Sequence, residues 1–156
     1  MADSQPENRD KGEIMIPLNF GLFWAGDTLS YLRYLTFKTL RYHHPDSKIQ
    51  LYLTQQYNKD AHKWNVEQQD FEKKSETKNY LDELDKIGVE TVKVQYIGSQ
   101  DLCGILQSDL FRWIWMRQNG GIYLDTDQII LKSFKTLPLD KEFIYCRYNE
   151  IQCGDY

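Results

Sequence analysis

The stretch that most constrains the fold is Ser108 to Leu131, SDLFRWIWMRQNGGIYLDTDQIIL. It reads as a helix, a double-glycine stop, a short apolar strand of Ile122, Tyr123 and Leu124, and two aspartates, Asp125 and Asp127, at the strand's end. Gly120 and Gly121 permit positive φ, so the chain can leave the helix and enter the strand abruptly. In an extended backbone, side chains two apart lie on one side, so Asp125 and Asp127 are expected to aim at a common point. Two carboxylates held that close repel, and a divalent cation with oxygen ligands is the natural compensation. A bare D-x-D is more often an acidic turn; its surroundings decide between the two.

Upstream, apolar runs and helical patterns alternate. Residues 1–13 are polar and charged and read as a flexible tail, leaving 14–156 as one domain, large enough for a real core. Ile16 to Trp24 reads as a buried first strand, closed by the turn sequence Ala25-Gly26-Asp27. Asp27 or Thr28 can cap a helix carrying Leu29, Leu32, Thr36 and Leu40 on one face, ending near His44 because Pro45 disfavours helix before it. His43 and His44, at that helix end, are expected to face solvent. Ile49 to Leu53 alternates as a second strand, and Tyr57 to Lys78 is a polar loop with room for a short exposed helix. Asn79 to Ile87 reads as a helix stopped by Gly88, and Val89 to Ile97 as a third strand.

The next helix spans Leu102 to Gln118, with Leu106, Leu110 and Ile114 as its apolar stripe, widened by Trp113 and Trp115. Asp109 and Arg112, three apart, share a face. Pro138-Leu139-Asp140 is a turn, and Phe143 to Tyr145 a further strand. This alternation predicts an α/β layer with a mainly parallel sheet. Ligands of such sheets sit beyond the carboxyl ends of strands, where both Trp24-Ala25-Gly26 and Asp125-Thr126-Asp127 fall.

Composition narrows the function. A net charge of −4 disfavours nucleic acid or anionic lipid as partners. Aromatics make up 14 % of residues, with eleven Tyr and four Trp, enough for stacking on planar or sugar ligands. The three cysteines, Cys103, Cys146 and Cys153, have no C-x-x-C spacing, and a reduced, cytoplasmic setting is the simpler expectation. No apolar run is long enough to span a bilayer.

The pattern S-D-x-x-R followed by G-G-x-Y-x-D-x-D resembles the DXD glycosyltransferases with a sugar-binding region, which include yeast-type initiating mannosyltransferases, bacterial capsule transferases and clostridial toxin glucosyltransferase domains. The residues carrying it are Ser108, Asp109, Arg112, Gly120, Gly121, Tyr123, Asp125 and Asp127. Ile16-Pro17 with Phe23-Trp24-Ala25-Gly26 is similar to that family's first strand.

The resemblance implies a GT-A fold, Rossmann-like, with a nucleotide-diphosphate sugar as donor, UDP- or GDP-linked, and Mn²⁺ or Mg²⁺ as cofactor. It implies that Asp127 ligates the metal, and that Asp125 supports the metal while contacting ribose or donor sugar. Asp109 and Arg112 would hold the donor sugar, Trp24 would stack on or flank the nucleobase, and Tyr123 would shape the ribose pocket. Asp109, Arg112 and Asp125 are thereby the candidate catalytic residues. Transfer to a glycan or other acceptor with retention is expected.

Only 29 residues follow Asp127, fewer than the family's pattern supplies, so the C-terminal half is expected to be short or missing. A non-catalytic or truncated nucleotide-sugar-binding module is therefore the second reading. A haloacid-dehalogenase-type phosphohydrolase, whose signature is also a strand followed by D-x-D, is the third. It fits less well because Ile129 stands where that motif expects Thr or Val.

Overall fold

The computed structural model describes residues 15–60 and 78–144. Four strands, β1 (Phe20–Ala25), β2 (Ile49–Thr54), β3 (Glu90–Lys93) and β4 (Ile122–Tyr123), form one sheet in the order β3-β2-β1-β4. Every pairing is parallel, with Phe20 opposite Ile49 and Ile122, and Leu51 opposite Thr91. Among the described residues two α-helices, α1 (Tyr31–His43) and α2 (Gly104–Asn119), complete an α/β, Rossmann-like arrangement, consistent with the expected GT-A fold.

Alternation along β1 assigns one helix to each face. Phe20 and Leu22 are buried with Phe37 and Leu40 of α1, and Ile49, Leu51 and Leu124 join the same cluster. Phe23, one residue out of phase, packs with Phe111 and Trp115 of α2. Gly21 makes that second interface possible. A Cβ there would lie about 2.7 Å from Cζ2 of the Trp115 indole, so the bare backbone is the surface on which the ring rests.

Several elements depart from the sequence reading. The first strand is shorter: 15–19 lead in as irregular chain. Ser30, rather than Asp27 or Thr28, caps α1, its Oγ accepting from Arg33 N. Leu29 is buried just ahead of that helix, while Leu32 faces solvent and Tyr34, Thr36, Phe37 and Leu40 turn inward. Residues 79–87 fold as two 3₁₀ turns, Leu81–Glu83 and Asp85–Ile87, and Gly88 stops them in the left-handed conformation as expected. The third strand is only four residues, and Phe143 and Ile144 are not in a strand. Pro138 and Lys141 close the anticipated turn. The polar segment after Asp60, and Tyr145, Cys146 and Cys153, lie outside the described residues.

The largest departure is the orientation of α2. Its Leu106 is 50 % and Trp113 63 % exposed, and Leu110 and Ile114 are also open to solvent, whereas Gln107, Phe111 and Trp115 are buried. Gln107 is inside because each polar end has a partner: Oε1 accepts from Ile97 N, and Nε2 donates to Gln56 O and Leu102 O. It clamps the helix onto the loops after β2 and β3.

His44 also departs from expectation. It is 1 % exposed, its ring packs at a tilt against Phe20 and Phe134, and Nε2 accepts from Phe134 N at 3.0 Å. Burial, aided by Lys135 and His43, holds its pKa below the usual 6.5, so the ring stays neutral and structural.

Candidate functional site

β4 ends at Tyr123, one residue earlier than expected, and Asp125-Thr126-Asp127 lies on a turn beyond it. The simple two-residue alternation that aimed both aspartates at one point therefore does not apply; among the described residues, side-chain contacts orient Asp125 alone. Gly120 (φ 62°) and Gly121 (φ 82°) reverse the chain at the end of α2 into β4, so that Ser108 to Arg112 of the helix lie beside Tyr123 and Asp125. Gly121 is pressed against Asn19, whose carbonyl oxygen would sit 2.6 Å from any added Cβ.

Asp125 is the hub on the α2 side. Its Oδ1 accepts from Arg112 Nη2 at 3.3 Å and from Tyr123 Oη at 3.1 Å. The same Nη2 is 3.0 Å from Asp109 Oδ1, and the guanidinium carbon lies 5.1 Å from the Tyr123 ring centroid. Tyr123 has one hydroxyl proton, which goes to the carboxylate, so the 2.8 Å contact with Ser108 is a bond donated by Ser108 Oγ. Burial, reinforced by the Asp125 carboxylate, raises the Tyr123 phenol well above its usual value, which keeps that proton in place. The Arg112–carboxylate pairs are partly open to water and contribute little to stability. Their effect is to fix one guanidinium between two acids, with donors still free to meet an anion.

Thr126 turns to the other side. It is buried, and its backbone oxygen accepts from Thr36 Oγ1 at 2.9 Å. The same hydroxyl accepts from Gln128 N, and Thr39 Oγ1 accepts from Ile130 N. Two threonines one helical turn apart on α1 therefore tether the turn that carries the aspartates. Asp127 is exposed and has no hydrogen bond or ion pair among the described residues.

Trp24 stands at the end of β1, half-buried, with its indole Nε1 donating to Thr28 O at 2.8 Å. Among the described residues no hydrogen bond or cation–π contact joins it to Asp109, Arg112 or Asp125; Arg33 stands between it and Thr126. The structure thus joins Ser108, Asp109, Arg112, Tyr123 and Asp125 in one network, sets Asp127 two residues on, and links Trp24 from the opposite face of the sheet. Sequence reading missed Arg33, Thr36 and Thr39. Thr36 was visible only as a helix-face position, and no short-range motif marks its partner ninety residues away.

Among the described residues no three His, Cys, Asp or Glu side chains cluster as a metal cage. Two carboxylates suit a cation that completes its shell from a ligand's phosphates and water, as Mg²⁺ commonly does. Asp127, uncommitted among the described residues, and the oxygen of Asp125 that Arg112 and Tyr123 leave aside, fit that requirement.

Among the described residues no helix is long and apolar enough to cross a membrane. No curated protein and no solved structure matches the chain. A family model, described as a glycosyltransferase sugar-binding region containing a DXD motif, matches residues 33–144, well over half of the chain. The matched span includes Asp109, Arg112, Tyr123, Asp125 and Asp127, begins after Trp24, and carries a sugar-binding or transferase role with it. The protein belongs to this family of DXD-containing glycosyltransferases.

Proposed function

We propose that this domain binds a nucleoside-diphosphate sugar, UDP- or GDP-linked, through Mn²⁺ or Mg²⁺ and transfers the sugar to a glycan or other acceptor with retention of configuration. The observation that carries the reading is the pairing of a held and an uncommitted carboxylate. Asp125 is fixed by Arg112 and Tyr123, while Asp127 projects into solvent without a partner among the described residues. A tethered acid beside a free one suits a site that waits for a cation and its phosphates.

Asp127 and Asp125 are the residues that would hold the ion. When bound, the ion supplies Lewis-acid neutralisation of the charge that develops on a diphosphate leaving group. Arg112 adds hydrogen bonds to that charge, and its position costs nothing at the moment of reaction because Asp109 and Asp125 already hold it. Asp109 faces the donor sugar from the same helix turn. Tyr123 keeps its proton and orients Asp125. Trp24 offers a planar surface to the nucleobase. Retention rests on the family resemblance alone.

Thermal unfolding with UDP and with GDP, each with and without Mn²⁺, tests the reading. A ligand at a hundred times its Kd stabilises by about 2.7 kcal/mol, a shift of several degrees for a chain of this size. One nucleotide is expected to give that shift only with Mn²⁺, and Asp127→Ala is expected to abolish it. No shift with either nucleotide, or an undiminished shift in Asp127→Ala, refutes the proposal. Binding without turnover across an acceptor panel would instead support the non-catalytic module.

A further inference from the structure

Every candidate site residue read from the sequence lies on β1, α2, β4 or the turn after β4; α1 supplied none. The structure places one residue of α1, Arg33, between two parts of the site. Its guanidinium carbon lies 4.4 Å from the centroid of a Trp24 ring. Its Nη1 donates to Thr126 Oγ1 at 3.1 Å. Thr126 is the residue between the two aspartates, is buried, and is anchored through its backbone oxygen by Thr36. At the other end, Trp24 Nε1 is tied to Thr28 O, and Asn79 braces that loop by donating to Asp27 O and accepting from Leu29 N. Indole, guanidinium and threonine hydroxyl therefore form a continuous link from the end of β1 to the D-x-D turn.

A guanidinium suits such a link because it is flat enough to stack on an aromatic face while its edge donates hydrogen bonds. An ammonium group at this position could approach the ring but would lose the fixed planar geometry that serves both contacts. We infer that Arg33 is a positioning residue: it holds the Trp24 ring and the D-x-D turn at a set spacing. Resting on the donor reading above, this fixes the distance between the base-stacking end and the cation-binding end of the site. A nucleoside diphosphate must span those two ends, so holding them in register before it arrives removes part of the ordering cost of binding.

The test measures the affinity of UDP and GDP in Mn²⁺ by calorimetry for the wild type, Arg33→Lys, Thr126→Val and the double variant. In parallel, fluorine NMR of 5-fluorotryptophan-labelled protein follows the Trp24 line, assigned with Trp24→Phe. Arg33→Lys and Thr126→Val are each expected to weaken the nucleotide that binds by roughly five- to tenfold, and to move or broaden the Trp24 line. The double variant is expected to bind no more weakly than the weaker single variant, because both changes cut one link. Should Thr126→Val fail to fold, the half-buried Arg33 still carries the test through Arg33→Lys. Unchanged affinity in a folded Arg33→Lys variant, whether or not the Trp24 line moves, overturns the inference while leaving the donor reading intact. A wild type that binds neither nucleotide overturns both.

Discussion

Thr36→Val isolates the tether beneath the D-x-D turn. The substitution preserves shape and removes one hydroxyl from a residue with no solvent exposure. Two backbone groups lose their partner: the buried Thr126 O, which accepts from Oγ1 at 2.9 Å, and the partly buried Gln128 N, which donates to it at 3.2 Å. Hydrogen bonds of this kind contribute about 1 kcal/mol net, and a buried group left unpaired costs about 1–3 kcal/mol. The expected loss is therefore about 2 kcal/mol, or roughly 6 °C in the melting temperature of a chain this long. If the loss falls on the turn rather than on the whole domain, it appears as a smaller fraction of binding-competent protein. Two kcal/mol then corresponds to as much as a thirtyfold rise in the apparent Kd for the Mn²⁺–nucleotide pair. Urea denaturation gives the global share and calorimetry the local one. Thr36→Ser, which keeps the hydroxyl, should recover most of the binding. A Thr36→Val variant with both the urea midpoint and the nucleotide affinity of the wild type would refute the tether.

Gly121→Ala should destabilise the fold by about 2 kcal/mol or more, measured by urea denaturation, because its φ of 82° and the adjoining Asn19 carbonyl leave no place for a methyl group. Stability should also fall on mild acidification, through His44. Its pKa is lower folded than unfolded, so below about 6.5 the unfolded chain binds the extra proton and unfolding is favoured. The contribution is complete above that pH, declines beneath it, and levels off once the folded ring also protonates. Denaturation midpoints between pH 8 and pH 5 should show this slope, and His44→Gln should lower stability at pH 8 while flattening it. Thr39→Val should cost less than Thr36→Val in the same urea experiment, since only Ile130 N loses an acceptor from another element and the site is half-buried.

The parallel α/β order and the helix–Gly-Gly–strand–D-x-D unit were legible because each is written in adjacent residues: apolar runs, glycines and carboxylates at fixed spacing. The buried face of α2 was not. Leu106, Leu110 and Ile114 repeat at four-residue intervals, and so do Gln107, Phe111 and Trp115. Hydrophobicity favours the first set, but the interface selects the second, because Gly21 leaves a flat seat for the Trp115 indole and three backbone groups satisfy Gln107. His44 was misplaced for a similar reason: its acceptor role depends on Phe134 N, ninety residues away. At the site, the Asp109–Arg112 pair could be anticipated from helical spacing. The role of Thr126 could not, since its partners come from a helix nearly a hundred residues earlier.

The sheet's seams are unequal. Between β1 and β2 six residue pairs lie in register; between β1 and β4 there are two. The first unit, from Phe20 to Thr54, is also contiguous in the chain, so it can assemble before the aspartates have been synthesised. The later segment docks onto a finished platform and can peel away from it without dismantling it. Amide exchange should therefore be slowest in β1 and β2 and fastest beyond Tyr123. A ligand that bridges the seam would do for the domain what its shortest strand cannot.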